Sequence, residues 1–237
     1  MRLMSLSNIE AIKHTYIPFS EKFTDAFGKR EKGGIWIVYG KAGSGKSRFV
    51  MDLAKEFAEI GMKVMFATLE MGYCSDFKQE LHNAGINRSH SITYTEDLTC
   101  EDLDELLSRQ RSPDVVIIDS IQYFVKQYDA TAEKIIELRK KYRKKIFLYI
   151  SHVEGKEVEG KEAYAVKRDS FVRINVAGYR AIYVGRGKAG KTGYYTIWEE
   201  GAEKFWLQNR KNNGNDFNGD NGTETTVAPT AKAEEYE

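Results

Sequence analysis

"IWIVYGKAGSGKSRFVMDLAKEFAEIG", residues 35–61, decides how the rest of this chain is read. "IWIVYG" is a short β-branched and aromatic run between Gly34 and Gly40, the pattern of a buried strand. Phe49, Val50, Leu53, Phe57 and Ile60 recur at helical spacing until Gly61 stops the run. Between strand and helix lies "GKAGSGKS", which fits the phosphate-binding pattern G-x-x-x-x-G-K-[ST]. Gly40, Gly43 and Gly45 let the backbone close around phosphates with its amides turned inward. The helix N-terminus behind them adds a positive dipole end. Lys46 supplies a charge to the β- and γ-phosphates, and Ser47 a hydroxyl to Mg²⁺. Gly40, Lys41, Ala42, Gly43, Ser44, Gly45, Lys46, Ser47 and Arg48 are thus the candidate nucleotide-binding set. The plainer alternative is a glycine turn before a helix. It leaves the agreement of strand, loop and helix unexplained.

A second stretch, "GRGKAGKT" at 185–192, fits the same pattern. It is followed by Gly193 and then by "GYYTIWEE", which alternates as a strand does, so no helix N-terminus faces a phosphate there. It reads as a glycine-rich hairpin turn carrying Arg186, Lys188 and Lys191.

Outward from the first loop, "KVMFATLE" (63–70), "SITYT", "DVVIIDS" (114–120) and "IFLYISHV" read as strands separated by helical segments. That alternation predicts a mainly parallel α/β sheet. Beyond His152, "EGKEVEGKEAYAVKRDS" reads as a surface loop. "FVRINVAGYRAIYVG" and "GYYTIWEE" read as strands joined by tight turns, with "EKFWL" a last short strand. The expected division is an N-terminal extension (1–30), one α/β nucleotide-binding domain (31–207) and a disordered acidic tail (208–237) rich in Asn, Gly and Thr.

The 237 residues are 41% hydrophobic and 30% charged, as in an ordinary soluble domain, and the net charge of +1 gives no overall argument for a nucleic-acid partner. Cys74 and Cys100 are the only cysteines and form no C-x-x-C, which excludes a four-cysteine zinc module and suggests a reducing, cytoplasmic setting. The N-terminus has no apolar run of signal-peptide length, and nothing approaches the roughly 18 apolar residues of a membrane span.

Two carboxylates stand at strand ends. Asp119 closes "VVIID", where ligands collect in parallel sheets and where a carboxylate is the expected partner of Mg²⁺ beside a P-loop serine. Glu70 ends "VMFATLE" and can activate a water against the γ-phosphate, or simply face a helix dipole. Ser151 and His152, in "YISH", are candidate γ-phosphate sensors, or polar groups satisfied at a strand end.

In this order, "GKAGSGKS", "FATLEM", "VVIIDSIQ", "ISHVEG" and "GRGKAGKTG" resemble the RecA-like ATPase core of RadA and the DnaB-type helicases. "DSIQ" and "SHV" are similar to RadA, "LEM" and the R-x-K turn to the DnaB type. The likeness spans roughly residues 28–200 and is concentrated at the nucleotide motifs. It implies a RecA-like P-loop fold with antiparallel C-terminal strands, Lys46 and Ser47 on phosphate and Mg²⁺, Glu70 as catalytic base and Asp119 as the Walker B acid. It also implies a ring or filament with ATP between subunits. Arg186 and Lys188 fall where that family reaches a neighbour's γ-phosphate, although here the arginine precedes the lysine. No counterpart of RadA's zinc module or protease-like domain, or of the helicases' N-terminal domain, is recognisable, so a solitary core is expected.

In such proteins the loops after the third and fourth core strands line a nucleic-acid path. Here they are "IQYFVKQYD", offering Tyr123, Phe124 and Lys126, and "VEGKEVEGKEAYAVKR", offering Lys167 and Arg168 among several glutamates. The run "RKKYRKK" (139–145) suits a solvated helix C-terminus. The expected function is a Mg²⁺-dependent, oligomeric ATPase acting on single-stranded DNA in recombination, repair or replication. The alternatives are an ATP-switched interaction protein without nucleic acid and a P-loop kinase for a small molecule.

Overall fold

The structure, a computed structural model, describes residues 3–185 and 187–214, with side chains as far as Asn209. Two helices lead, α1 (Leu6–Glu10) and α2 (Glu21–Phe27). Then come β1 (Gly34–Tyr39), α3 (Lys46–Glu59), β2 (Val64–Thr68), α4 (Ser75–Asn83), β3 (Ile92–Thr95), α5 (Cys100–Ser108) and β4 (Val115–Asp119). They are followed by α6 (Ile121–Tyr128), α7 (Ala132–Lys141), β5 (Ile146–Ser151), the hairpin β6 (Val153–Glu154) and β7 (Glu157–Val158), and α8 (Lys161–Asp169). β8 (Val172–Ala177), β9 (Arg180–Tyr183), β10 (Tyr194–Thr196) and α9 (Glu199–Gly214) complete the described chain.

Eight strands form one sheet in the order β10-β9-β8-β1-β5-β4-β2-β3. All pairs from β8 to β3 are parallel; β9 and β10 are antiparallel. Successive side chains of a strand face opposite sides, and β1 shows what that produces. Trp36 and Val38 enter one core with Phe49, Leu53 and Phe57 of α3. Ile35, Ile37 and Tyr39 enter the other with residues of α5 to α8. Because both faces are covered, the central strands are buried throughout and apolar except at their ends, as a sheet packed on two sides requires.

The segment before β1 belongs to the first core. Phe23, Ala26 and Phe27 are buried there, and Phe23 stacks on Tyr195 of β10. Glu56 near the end of α3 is buried and accepts from the Ser20 amide (2.6 Å) and hydroxyl (3.0 Å). Ser20 is the N-cap of α2, where a carboxylate complements the helix dipole.

Three local readings of the sequence are corrected. "IQYFVKQYD" is not a loop but largely α6, held to the sheet by Ile121 and Phe124. "EGKEVEGKEAYAVKRDS" holds the β6–β7 hairpin and α8, which buries Ala163 and Val166. "EKFWL" lies in α9: Phe205 packs on Gly178, and the Trp206 indole N–H donates to the Gly178 carbonyl (3.2 Å). α9 itself runs through Gly214; residues 215–237, most of the expected tail, lie outside the described residues. Among the described residues no helix is long and apolar enough to cross a membrane.

Candidate nucleotide site

The loop after β1 has the geometry its glycines predict. Gly43 (φ +70) and Gly45 (φ +99) occupy the left-handed region, and space is open where a Gly43 Cβ would stand. Gly45 is the N-cap of α3, so the free amides of the first turn point into the loop. Lys41, Ala42 and Gly43 are exposed; Ser44, Ser47 and Arg48 are half-buried, and Arg48 pairs with Asp52 (3.0 Å). Lys46 is buried, and its Nζ donates to the Gly40 (2.9 Å) and Lys41 (3.0 Å) carbonyls. Burial lowers its pKa against the opposing pull of Asp119 and Glu70. The loop therefore curls around its own lysine, and a phosphate would replace those carbonyls.

Sheet register brings the acids to this loop. Thr68 is paired with Asp119, and the Asp119 carbonyl accepts from the Leu69 (2.8 Å) and Glu70 (3.0 Å) amides. Asp119 is buried, and desolvation first and Glu70 second push its carboxyl up to about 7, with His152 and Lys46 opposing. A buried carboxylate held so far above its usual range lacks sufficient positive charge nearby. The hydroxyls of Ser44 and Ser120 are also buried without a hydrogen-bond partner. These are the groups a Mg²⁺–nucleotide would satisfy. Among the described residues no group of three His, Cys, Asp or Glu could hold a metal alone. Mg²⁺ takes one or two protein oxygens and completes its shell with phosphate and water. Ser47 and Asp119 would hold it, and it would neutralise charge on the phosphate oxygens.

His152 Nε2 lies 3.0 Å from Glu70 Oε2. Ser151 is buried; its hydroxyl donates to the His152 carbonyl (2.9 Å) and accepts from Gln122 Nε2 (2.9 Å). Of the two sensor candidates, His152 thus meets Glu70 while Ser151 braces the strand end. Gln122 escaped the sequence reading, although it stands in "DSIQ" three positions after Asp119, on the first turn of α6. It donates to Ser151 and to the Glu159 carbonyl (2.9 Å) and accepts from the His152 amide (3.3 Å), joining α6, β5 and the β6–β7 hairpin.

A cavity of about 730 Å³ flanks the loop, with Tyr39, Asn175, Tyr179 and Phe205 among its walls. Its size and aromatic walls suit a nucleoside beside the phosphates.

The expected nucleic-acid residues are not brought together. Tyr123 and Lys126 are exposed on α6, but Phe124 is fully buried against the sheet and cannot stack on a base. Lys167 is committed to Glu157 (2.8 Å) and to the Tyr39 ring (4.3 Å), while Arg168 is exposed.

"GRGKAGKT" joins β9 to β10, and no described residue from 187 to 193 is helical. The Thr192 hydroxyl, which a phosphate loop would free for a metal, donates to the Asp25 (2.9 Å) and Tyr194 (2.8 Å) carbonyls. Arg30 donates to the Lys188 carbonyl. Ala177 and Arg180 pair at the strand ends near the first loop, whereas Ile174 pairs with Tyr183 toward the other end. The turn therefore lies across the sheet from its own P-loop. Lys188 and Lys191 are exposed on it; Arg186 lies outside the described residues.

A parallel sheet with a P-loop after its central strand and carboxylates at the neighbouring strand ends defines the RecA-like P-loop ATPase fold, and this chain has it. Among solved structures it is similar to the flagellar accessory protein FlaH from Methanocaldococcus jannaschii, at 16% identity and a TM-score of 0.55, over 78% of this chain and 92% of that one. The ATPase domain of G40P aligns at 13% identity and a TM-score of 0.49, over 66% of this chain and 79% of that one. The sequence matches no family model, and no curated protein matches it.

Proposed function

We propose that this protein is a Mg²⁺-dependent ATP hydrolase that works as a homo-oligomer on single-stranded DNA. The carrying observation is the convergence of Lys46, Asp119 and Glu70 on one end of the sheet, with buried polar atoms left for a ligand to satisfy. The P-loop amides and Lys46 bind the phosphates, Ser47 and Asp119 hold the metal, and Glu70 takes a proton from the attacking water. His152 holds Glu70 at the Oε2 atom and links it through Gln122 to the β6–β7 hairpin.

Oligomerisation is supported by the basic turn. It lies across the sheet from its own P-loop, so exposed Lys188 is of use to a phosphate held by a neighbouring subunit. Nucleic acid is supported by exposed Tyr123 and Lys126 on α6, which starts at the end of β4. The deciding measurement is ATP turnover with and without single-stranded DNA, for the parent and for Glu70→Gln. Glu70→Gln should bind Mg²⁺–ATP and lose about 10²- to 10⁴-fold in turnover. Parental turnover by that variant removes Glu70 from the mechanism. No binding or stimulation by DNA at low salt favours the ATP-switched interaction protein. That second reading draws on the acidic surroundings of the β6–β7 hairpin, with Glu154, Glu157 and Glu159 exposed there.

A further inference from the structure

The residues expected to contact nucleic acid sit in an acidic neighbourhood, and the densest cations of the fold gather at the other end of the sheet. The loops preceding four adjacent strands, β1, β5, β4 and β2, meet there. They carry Lys29 and Lys32, then Arg143, Lys144 and Lys145, then Arg111, then Lys63. Contacts make the row continuous. A Cβ on Gly33 would press on the Arg143 carbonyl. Lys145 Nζ donates to Ser112 (3.2 Å) and Lys63 Nζ to the Arg111 carbonyl (3.3 Å). Lys32 pairs with Asp114 (2.9 Å). Lys29, Lys63, Arg111, Arg143 and Lys144 are exposed. The acids in the row are Asp114, engaged by Lys32, and Glu31, which lies 3.0 Å from His14. The cations feel one another: burial lowers the Lys145 pKa, Asp114 opposes, and Lys32 and Lys63 add to the lowering.

Beside the row is a cavity of about 430 Å³ whose walls include Lys32, Arg139, Arg143, Trp36 and Phe171. Phe171 is 50% exposed, with the Arg139 guanidinium 5.8 Å from its ring centre. Arg139 is itself held by Asp169 (2.6 Å), so it serves as a fixed wall rather than a free charge.

We propose that this face, remote from the nucleotide site, is a binding surface for single-stranded nucleic acid, with the cation row on the phosphate backbone and Phe171 stacking one unpaired base at the cavity mouth. Strands stand about 4.8 Å apart, so the four loops span about 14 Å. The successive phosphates of an unpaired strand are spaced more widely than the axial rise of a duplex, so that length accommodates about three phosphates. An exposed aromatic ring beside a cation row distinguishes a single strand, whose bases are free to stack, from a duplex, whose bases are not. The inference rests on the nucleic-acid part of the function proposed above and is independent of hydrolysis.

The test is nucleotide-free binding of a fluorescein-labelled oligothymidylate by the full chain, read by anisotropy over a range of salt. Three phosphate contacts on a single strand predict a slope of log K against log salt of about −2. The combined variant K63A/R111A/R143A/K144A should lose at least tenfold in affinity at low salt and most of that slope. Phe171→Ala should weaken the oligothymidylate several-fold and leave binding of a duplex of equal length unchanged. Unaltered ATP affinity and thermal midpoint show that both variants fold. Parental affinity in the fourfold variant overturns the proposal. So does binding to phosphatidylglycerol vesicles with none to the oligonucleotide, and so does a fall in native mass, which would make the face an interface between copies. Absence of DNA-stimulated turnover with this binding intact would overturn the coupled ATPase reading alone.

Discussion

Asp119→Asn should make the nucleotide-free protein more stable at alkaline pH while destroying its capacity to bind Mg²⁺–ATP. Burial and Glu70 hold the Asp119 carboxyl near 7 instead of 3.8. The folded state therefore binds this proton more tightly than the unfolded chain does. The contribution of this group to stability is complete below about pH 4 and is lost as pH rises through 7. Keeping the ionised form buried at pH 8.5 costs about 4 kcal/mol by that difference. Asparagine removes the charge but buries an amide whose donors are not all satisfied, at about 1–3 kcal/mol. The net gain expected at pH 8.5 is about 1–3 kcal/mol, or several degrees in the thermal midpoint for a chain of this size. Below about pH 4 the gain should vanish or reverse. Thermal melts of both proteins from pH 4 to 8.5 read the difference, and Mg²⁺–ATP titration reads the lost site. A stability difference that does not change with pH would refute the electrostatic reasoning.

Lys46→Ala should abolish nucleotide binding, whereas Lys191→Ala in the basic turn should leave it within about twofold; equal losses in titration of monomeric protein would restore the second motif as a phosphate loop. Lys188→Ala should bind ATP normally and hydrolyse it poorly, since a cation supplied in trans is worth roughly 10³- to 10⁵-fold in related phosphoryl transfers. Mixing it with Glu70→Gln should recover activity, and a flat mixing curve with co-assembly confirmed counts against a shared site. Gln122→Ala removes the hydrogen bonds to Ser151, His152 and Glu159. It should speed hydrogen exchange in β6 and β7 and uncouple DNA from turnover at unchanged ATP affinity; unchanged exchange would leave Gln122 without that bracing role.

The sequence exposed what depends on near neighbours. "GKAGSGKS" could be told from "GRGKAGKT" because the segments flanking each differ in period, and the structure agrees at Thr192, whose hydroxyl is spent on Asp25 and Tyr194. Asp119 and Glu70 were legible as strand ends. What escaped depends on contacts distant in sequence. Phe124 looks available in a list of residues, and only the packing of α6 on the sheet hides it. α8 is highly charged and offers few apolar side chains, with Ala163 and Val166 the ones it buries, so its helical face was hard to see. "EKFWL" has the hydrophobicity of a strand, yet Phe205 and Trp206 use it to fasten a helix to Gly178. The cation row is dispersed over residues 29–145 and becomes one surface only through the strand order β1-β5-β4-β2.

α3 has a fastening at each end. Its first turn carries Lys46, inside the phosphate loop, and near its last turn Glu56 grips Ser20 at the head of α2. At the tail of α2, the Asp25 carbonyl holds Thr192 of the basic turn (2.8 Å to its amide). Fourteen residues at about 1.5 Å each make α3 a rod of about 21 Å. A shift of the phosphate loop on gain or loss of a ligand therefore has a stiff mechanical linkage to the turn, running outside the sheet. In an assembly where that turn meets the next subunit's phosphates, what one site holds would set how firmly the next is gripped, and successive sites would fire in sequence rather than at random.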